Sequence, residues 1–557
     1  MHSNSVEDDP IKSSASKCPM KDSLNKVESR SDVRGYVSDD PQLPKRELAF
    51  YLVAMLSIVI YAGYEFYVTY GLDMTRNFPV QALKRGWMRD YKDIVVHPMF
   101  EQATNNWPQL ILASAGFLIV SKTSLAFAPM NVHHLACSIY TLLMISIALS
   151  TKAAFALVFL YTVCLSLAYF SNPAVWILPS TLLFSFSRVE VSAVLLSALE
   201  IQDDKLNTFS AMSSYLMCRL ISVGHTLRTE LLEKPCGFRQ YLLNNVPLSL
   251  AYTFYMPYTW SGPILTFDAF RKQLQSRGRR VEIDSNTVSL VAWRVCRMVL
   301  WYYVLEMIYH YLPTGSYLLT LQPDVPIVYK HMSFFYLPYM VRALCYFCIQ
   351  YFGWPAVLAL LDGVELFHWP DCISWVYSYS IMWRVFDRGL FSVIQEHIYR
   401  PLGGSRRGPL RQLLALVVSF LFVCIFHGDS ASSRAWVTLN VVQLVMERLM
   451  IFVYYKYLRC AVTKYLSPQN EKRLTGYVIA WNMTVSCGII FFLLAGTNGF
   501  IIFPELLLLR GMSSHTPLWH LLTFQFGTYC AVQMGRYFEV KLKPKLCDIA
   551  KKVKTMD

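Results

Sequence analysis

The sequence predicts an all-α protein that passes repeatedly through a lipid bilayer. Three observations carry this. Of 557 residues, 54% are hydrophobic and only 16% are charged, whereas soluble domains carry about 25% charged residues. The apolar residues gather into runs, many long enough to cross roughly 30 Å of hydrocarbon. The basic residues, which set a net charge of +14, lie in short stretches between those runs, a pattern that reports topology and lipid contact rather than nucleic-acid binding. The fourteen Cys are mostly scattered through apolar runs, as small core residues are. Neither a disulfide framework nor a metal site is expected from them.

Residues 1–46 are polar, rich in Ser and Asp, and without apolar periodicity. They read as a disordered cytosolic tail, not as a signal peptide, because no apolar core follows a short basic start. The first span is expected over about 48–70, with Glu65 among tyrosines near an interface. A polar connection with Arg85, Arg89 and Lys92 follows. Apolar runs at about 108–126, 130–150, 153–171 and 173–198 are broken by Pro129, Lys152 and Asn172-Pro173. Such spacing leaves room only for short turns between antiparallel helices. Residues 200–244 are amphipathic and basic, and are expected to form a span plus a cytosolic loop.

Residues 246–270 hold three prolines and the pair Gly262-Pro263. Proline removes a backbone donor, so a straight helix is not expected there. A broken backbone at membrane depth belongs where it is buried or lines a cavity. The basic run 271–280 should face the cytosol. Spans are expected at about 288–312 and 331–361, then a polar break at 361–372 and a short aromatic run at 373–386 that reads as re-entrant. After the Gly/Pro/Arg turn 399–411 comes an apolar run, 412–426, short for a full crossing. Later spans fall at about 435–458, 474–497 and 517–535. This makes about 10–12 transmembrane or re-entrant helices, without an internal repeat.

Two ionisable residues stand out at the edges of uncharged runs. Asp387 ends an aromatic stretch and His427 ends an apolar one, forty residues later. An ionisable group in a membrane segment costs about 2.5–3.5 kcal/mol for Asp at mid-helix, which marks each as a functional candidate. His427 is either a hydrogen-bonded structural histidine or a general base, the usual role of a neutral imidazole near pH 7. Asp387 either pairs with the flanking Arg384 or Arg388, or orients the imidazole from another element. No nucleophile-elbow motif occurs, which favours direct transfer between two bound substrates over a covalent enzyme intermediate.

The residues that carry a resemblance are Leu361-Asp362-Gly363, Cys372-Ile-Ser, MWRVFDRGL at 382–390, YRPLGGS at 399–405, FHG at 426–428, and Leu439-Asn440 with Glu447. SGPILTF at 261–267, SPQ at 467–469 and PKRELAFYLVA at 44–54 extend it over the chain after residue 44. Together they resemble the membrane-bound O-acyltransferase (MBOAT) superfamily, and within it the hedgehog acyltransferase group of protein-cysteine N-palmitoyltransferases. The resemblance implies a helical bundle around a central acyl-transfer tunnel over 47–540, followed by a basic cytosolic C-terminal tail, 541–557. It implies His427 as general base and Asp387 as the second catalytic residue, where serine- and sterol-acylating members have Asn. It implies Trp383 and Arg384 beside the acyl-CoA cavity, and Cys372 as the thiolate ligand of a haem b iron. Its implied partners are palmitoyl-CoA as co-substrate, a secreted protein with an N-terminal cysteine, and the bilayer of the endoplasmic reticulum or Golgi. His427-Gly428-Asp429 departs from the superfamily's usual HGG. The other readings are a serine O-acyltransferase, a non-catalytic scaffold for acylated ligands, and a transporter using buried His and Asp as a proton relay.

Overall fold

A computed structural model describes residues 43–93, 106–171, 197–202, 205–277, 285–320, 332–366, 376–428, 430–494, 496, 499 and 518–542. The expected span at 173–198, apart from its last two residues, the tail up to residue 42, and residues 543–557 lie outside the described residues. Among the described residues the chain is helical apart from one antiparallel hairpin, β1 (Leu83–Arg85) and β2 (Tyr91–Asp93). Among the described residues, eight helical segments are long and apolar enough to cross a membrane. The all-α, many-span class expected from composition is the class observed.

The first helix, α1 (Lys45–Phe66), continues through a π-helical turn, so the span runs Lys45–Gly71. Then come α2 (Trp107–Phe127), α3 (Met130–Ala148) and α4 (Thr151–Phe170); the break at Pro129 falls where expected, the next falls at Leu149-Ser150 with Lys152 inside α4, and Asn172-Pro173 lies outside the described residues. Pro129 precedes α3, and the Ser150 hydroxyl caps α4 by accepting from the Ala153 N–H, as Ser does at helix starts. The amphipathic stretch becomes two helices, α5 (Leu206–Glu233) and α6 (Phe238–Thr253). It differs from a span with a surface loop. The polar residues Arg219 and Ser222 of α5 are buried, because the Ser222 hydroxyl finds partners inside, accepting from the Phe267 N–H at 2.8 Å.

The proline-rich stretch is broken as expected. Pro247 lies inside α6, a 3₁₀ turn follows at Met256–Tyr258, and irregular backbone passes Gly262-Pro263 into α7 (Phe267–Arg277). The next helices are α8 (Ser285–Tyr311), α9 (Met332–Tyr346) and α10 (Trp354–Leu361). A π-helical turn, Phe347–Tyr351, joins α9 to α10 in one candidate span, Pro338–Leu361. Inside it Cys345 and Cys348 stand in CxxC spacing, both buried and not joined by a disulfide. Two short helices, α11 (Tyr379–Val385) and α12 (Arg388–Ile394), precede α13 (Pro409–His427). The apolar run 412–426 looked too short to cross, but Pro409 to Arg411 before it and His427 after it extend the helix to 19 residues. Proline suits the first position because its missing N–H would be unpaired there anyway. The last helices are α14 (Ala431–Val453), α15 (Pro468–Leu494) and α16 (Leu518–Tyr537).

Helices α13, α14, α15, α16 and α1 pack in that order, side against side, and α9 packs on α1. The Arg473 guanidinium holds the Glu47 carboxylate at 2.6 Å, and Tyr51 stands edge-on to Tyr529 at 5.4 Å, joining the first span to the last helices. Helices α2 to α7 share a second core that includes Phe117, Tyr161, Tyr252 and Phe270. Helix α5 connects the two halves: Met217, Cys218 and Ile221 pack with Ile264, Leu390, Val393 and Phe422.

Two contacts hold irregular backbone in place. Asp93, fully buried at the end of β2, accepts from the Gly315 and Ser316 N–H groups at 2.7 Å and from Arg342 at 2.9 Å. Removing one member of a buried pair strands the other charge, at a cost of about 3–5 kcal/mol. Asp93→Ala should therefore lower stability by about 3 kcal/mol in thermal unfolding of the detergent-solubilised protein; an unchanged midpoint would contradict this role. Gly389, in the first turn of α12, lies against the Gly-Pro segment so closely that a Cβ would sit 2.6 Å from the Ile264 backbone N and O. Backbone cannot yield as a flexible side chain can, so Gly389→Ala should cost about 1–3 kcal/mol. A thermal midpoint equal to wild type would show that the segment moves freely.

Candidate active site

Asp387 lies between α11 and α12 and is the N-cap of α12. Its Oδ1 accepts from the Leu390 N–H at 3.0 Å. Its Oδ2 accepts from the Tyr351 hydroxyl at 2.6 Å. Among the described residues it makes no ion pair, so the local pairing with Arg384 or Arg388 is not how its charge is accommodated. The carboxylate is held by an aromatic hydroxyl 36 residues upstream and by its own helix.

His427 is the last residue of α13, and its side chain is exposed while the residues before it are buried or half-buried. Gly428 has φ +103°, a conformation that glycine adopts without penalty and that ends the helix immediately after the imidazole. The imidazole stands edge-on to Trp436 of α14 and to Phe426, each at 5.1 Å. The Phe426 carbonyl, freed by the helix end, accepts from the Ser214 hydroxyl of α5 at 3.2 Å.

Two aromatic arms tie these residues into one neighbourhood. On one side Tyr351 meets Tyr215 at 6.2 Å, and Tyr215 meets Phe426 at 5.7 Å. On the other, Trp383 of α11 meets Trp436 at 5.7 Å and Phe420 at 4.8 Å. Trp383 is thus one ring removed from His427, and Arg384 follows it on the same helix, half-buried. Cys372 lies outside the described residues.

Other motif residues hold the scaffold. Glu447 accepts from the Ser380 N–H at 3.0 Å and from the Ser378 hydroxyl, and Tyr379 bonds Asn440, which together fasten α11 to α14. Asp362, at the end of α10, accepts from Tyr255 at 2.8 Å and from Ser121. The basic run at 271 is partly committed: Arg271 pairs with Glu230 and Asp268, and Lys272 with Asp268 at 2.6 Å. His397, in the π-helical turn after α12, bonds Ser222 at 3.0 Å. Burial, with the His225 ring beside it, pushes its pKa down to about 3. An imidazole with so low a pKa is a weak proton acceptor near pH 7.

The arrangement offers an exposed imidazole, a carboxylate of set orientation, and aromatic rings packed beside both. The sequence did not single out Tyr351, Tyr215, Ser214 or Trp436. Aromatic residues make up 15% of the chain, and nothing in their spacing distinguishes these.

The sequence profile of the MBOAT, membrane-bound O-acyltransferase family matches residues 141–458, more than half of the chain. The protein-cysteine N-palmitoyltransferase HHAT of Mus musculus is 30% identical over 262 residues, covering 44% of this chain and 49% of that protein. The protein-cysteine N-palmitoyltransferase Rasp of Drosophila melanogaster is 28% identical over 208 residues, 36% of this chain and 39% of Rasp. The membrane-bound O-acyltransferase gup1 of Schizosaccharomyces pombe is 25% identical over 252 residues, 41% of this chain and 39% of gup1. The aligned part spans about half or less of these relatives' length. With its many apolar helices, its aromatic-walled His427 and its capped Asp387, the chain belongs to the membrane-bound O-acyltransferase family.

Proposed function

We propose that this protein transfers palmitate from palmitoyl-CoA to the N-terminal cysteine of a secreted signalling protein, hedgehog-like or EGF-like, in the endoplasmic reticulum membrane. The observation that carries the reading is the shared aromatic frame of His427 and Asp387, in a chain related to two protein-cysteine N-palmitoyltransferases. The donor enters from the cytosol with its acyl chain in an apolar channel, and Trp383 and Arg384 flank it. The acceptor enters from the lumen. The amine nitrogen attacks the thioester carbonyl carbon, a C–N bond forms, and the C–S bond breaks. His427 takes the proton that the amine loses, and Asp387 stabilises the imidazolium. The departing CoA thiolate collects a proton, so charge balances. The reading extends to a haem held by the Cys372 thiolate; purified protein should show a Soret band that Cys372→Ala removes.

A second reading, O-acylation of a hydroxyl acceptor, is favoured by the relatives of the gup1 type. One assay separates the two. Purified protein is mixed with palmitoyl-CoA and either a peptide beginning Cys-Gly or a serine-bearing peptide. Transfer to the cysteine peptide, in a product that resists neutral hydroxylamine, is expected, and N-acetylation of that peptide should abolish it. His427→Ala should lower kcat at least about 100-fold, the lower range for general-base catalysis. Transfer to serine alone would establish the second reading, and no transfer from wild type to either peptide would leave a scaffold.

A further inference from the structure

Tyr351 closes the π-helical turn Phe347–Tyr351 between α9 and α10. Such turns recur at functional sites because they shift one residue out of helical register. The residue is 6% exposed, and its ring is fixed by Phe352 at 4.7 Å, Phe347 at 6.1 Å and Tyr215 at 6.2 Å. Its hydroxyl donates to Asp387 Oδ2 at 2.6 Å.

The geometry points to Tyr351 as a positioning residue for acyl transfer, whose hydroxyl holds the Asp387 carboxylate in the orientation that serves His427. This rests on the roles proposed for those two residues. Capping does not explain the bond. Ser150 and Ser430 cap α4 and α14 through one backbone N–H each, and Asp387 Oδ1 already does the same for α12 through Leu390. The second donor, on Oδ2, exceeds what the helix needs. With both oxygens engaged the carboxylate cannot rotate, and its remaining lone pairs keep fixed directions. Burial works against its charge, while the Tyr351 hydroxyl and the Leu390 and Gly389 N–H groups favour it. The same ring also sets spacing: Tyr351 meets Tyr215, Tyr215 meets Phe426, and Phe426 precedes His427. One side chain therefore fixes the orientation of the carboxylate and borders the contacts that place the imidazole.

The test is Tyr351→Phe, which keeps the ring and removes one donor. It is assayed in native membranes, beside Asp387→Asn and the double variant. The expected result is a loss of kcat of about ten- to a hundredfold, the scale of one hydrogen bond to a charged group, with KM for palmitoyl-CoA unchanged. The acid limb of the pH–rate profile should move to higher pH, because a carboxylate that loses a donor takes up its proton more readily. Tyr351→Phe should add little in the Asp387→Asn background. Tyr351→His, which returns a ring N–H, should recover part of the acid limb. Wild-type kcat and pH profile in Tyr351→Phe, alongside an inactive Asp387→Asn, would overturn the proposal. An equal loss in both Tyr351 variants with unshifted profiles would also overturn it, leaving a packing role. An Asp387→Asn protein as active as wild type would instead overturn the role of Asp387 itself.

Discussion

A carboxylate away from bulk water must find donors or give up its charge, and the centre of this protein is arranged around how Asp387 finds them. One oxygen closes the first turn of α12 and the other takes the Tyr351 hydroxyl. The first is a helix cap, ordinarily about 1 kcal/mol. The second crosses from the α9–α10 span, so the turn between α11 and α12 cannot shift without breaking a bond to another element. Gly389 reinforces this, because only a residue without a Cβ lets that turn lie against the Ile264 backbone. The position of Trp383 on α11 follows from the same turn, and Glu447 and Asn440 fasten the other end of α11 to α14.

Helix α5 is the second constraint. Its sequence looks like that of a helix lying half in water, yet its polar groups point inward. Ser214 reaches the Phe426 carbonyl at the end of α13, Tyr215 fills the space between Tyr351 and Phe426, and Ser222 receives the Phe267 N–H and bonds His397. Within a membrane protein such groups bond to other helices or back to their own, as Ser214 also does to the Ser210 carbonyl. The middle of the helix is buried on its apolar and polar sides alike: Met212, Leu216 and Leu220 lie in one core, Met217, Cys218 and Ile221 in another, and Ser214, Arg219 and Ser222 are buried with them. Through it, the end of α13 and the turn that carries Asp387 are held to a single rigid rod.

The residues of the family resemblance divide by physical job. Asp362, Asn440 and Glu447 are polar groups that tie helices together, each engaged with Ser or Tyr partners. His427 differs: it is left exposed at a helix end by Gly428, with rings around it. The geometry therefore separates motif residues that build the scaffold from the one whose side chain is exposed at a helix end.

Much of the architecture was legible in the sequence, because a bilayer imposes a simple rule: a helix needs a long apolar run, and Pro, Gly and charge mark its ends. That rule located the spans near residues 48, 108, 130, 153 and 288, the break at Gly262-Pro263, and the two ionisable residues at the ends of uncharged runs. It misjudged the run at 412–426, where Pro409 to Arg411 lengthen the helix, because a first turn tolerates residues that an apolar count excludes. It also expected a span plus a cytosolic loop over 200–244, where two helices form. What the sequence determined by itself was the class of the chain and the chemical oddity of Asp387 and His427, since hydropathy is a local property of consecutive residues. What only the tertiary structure decided was their setting: Tyr351 on the carboxylate, Tyr215 and Trp436 as the walls, and Ser214 on the end of α13. The two hydrogen bonds among them join residues 36 and 212 positions apart, and no local pattern marks one of 35 tyrosines as the one that meets a carboxylate.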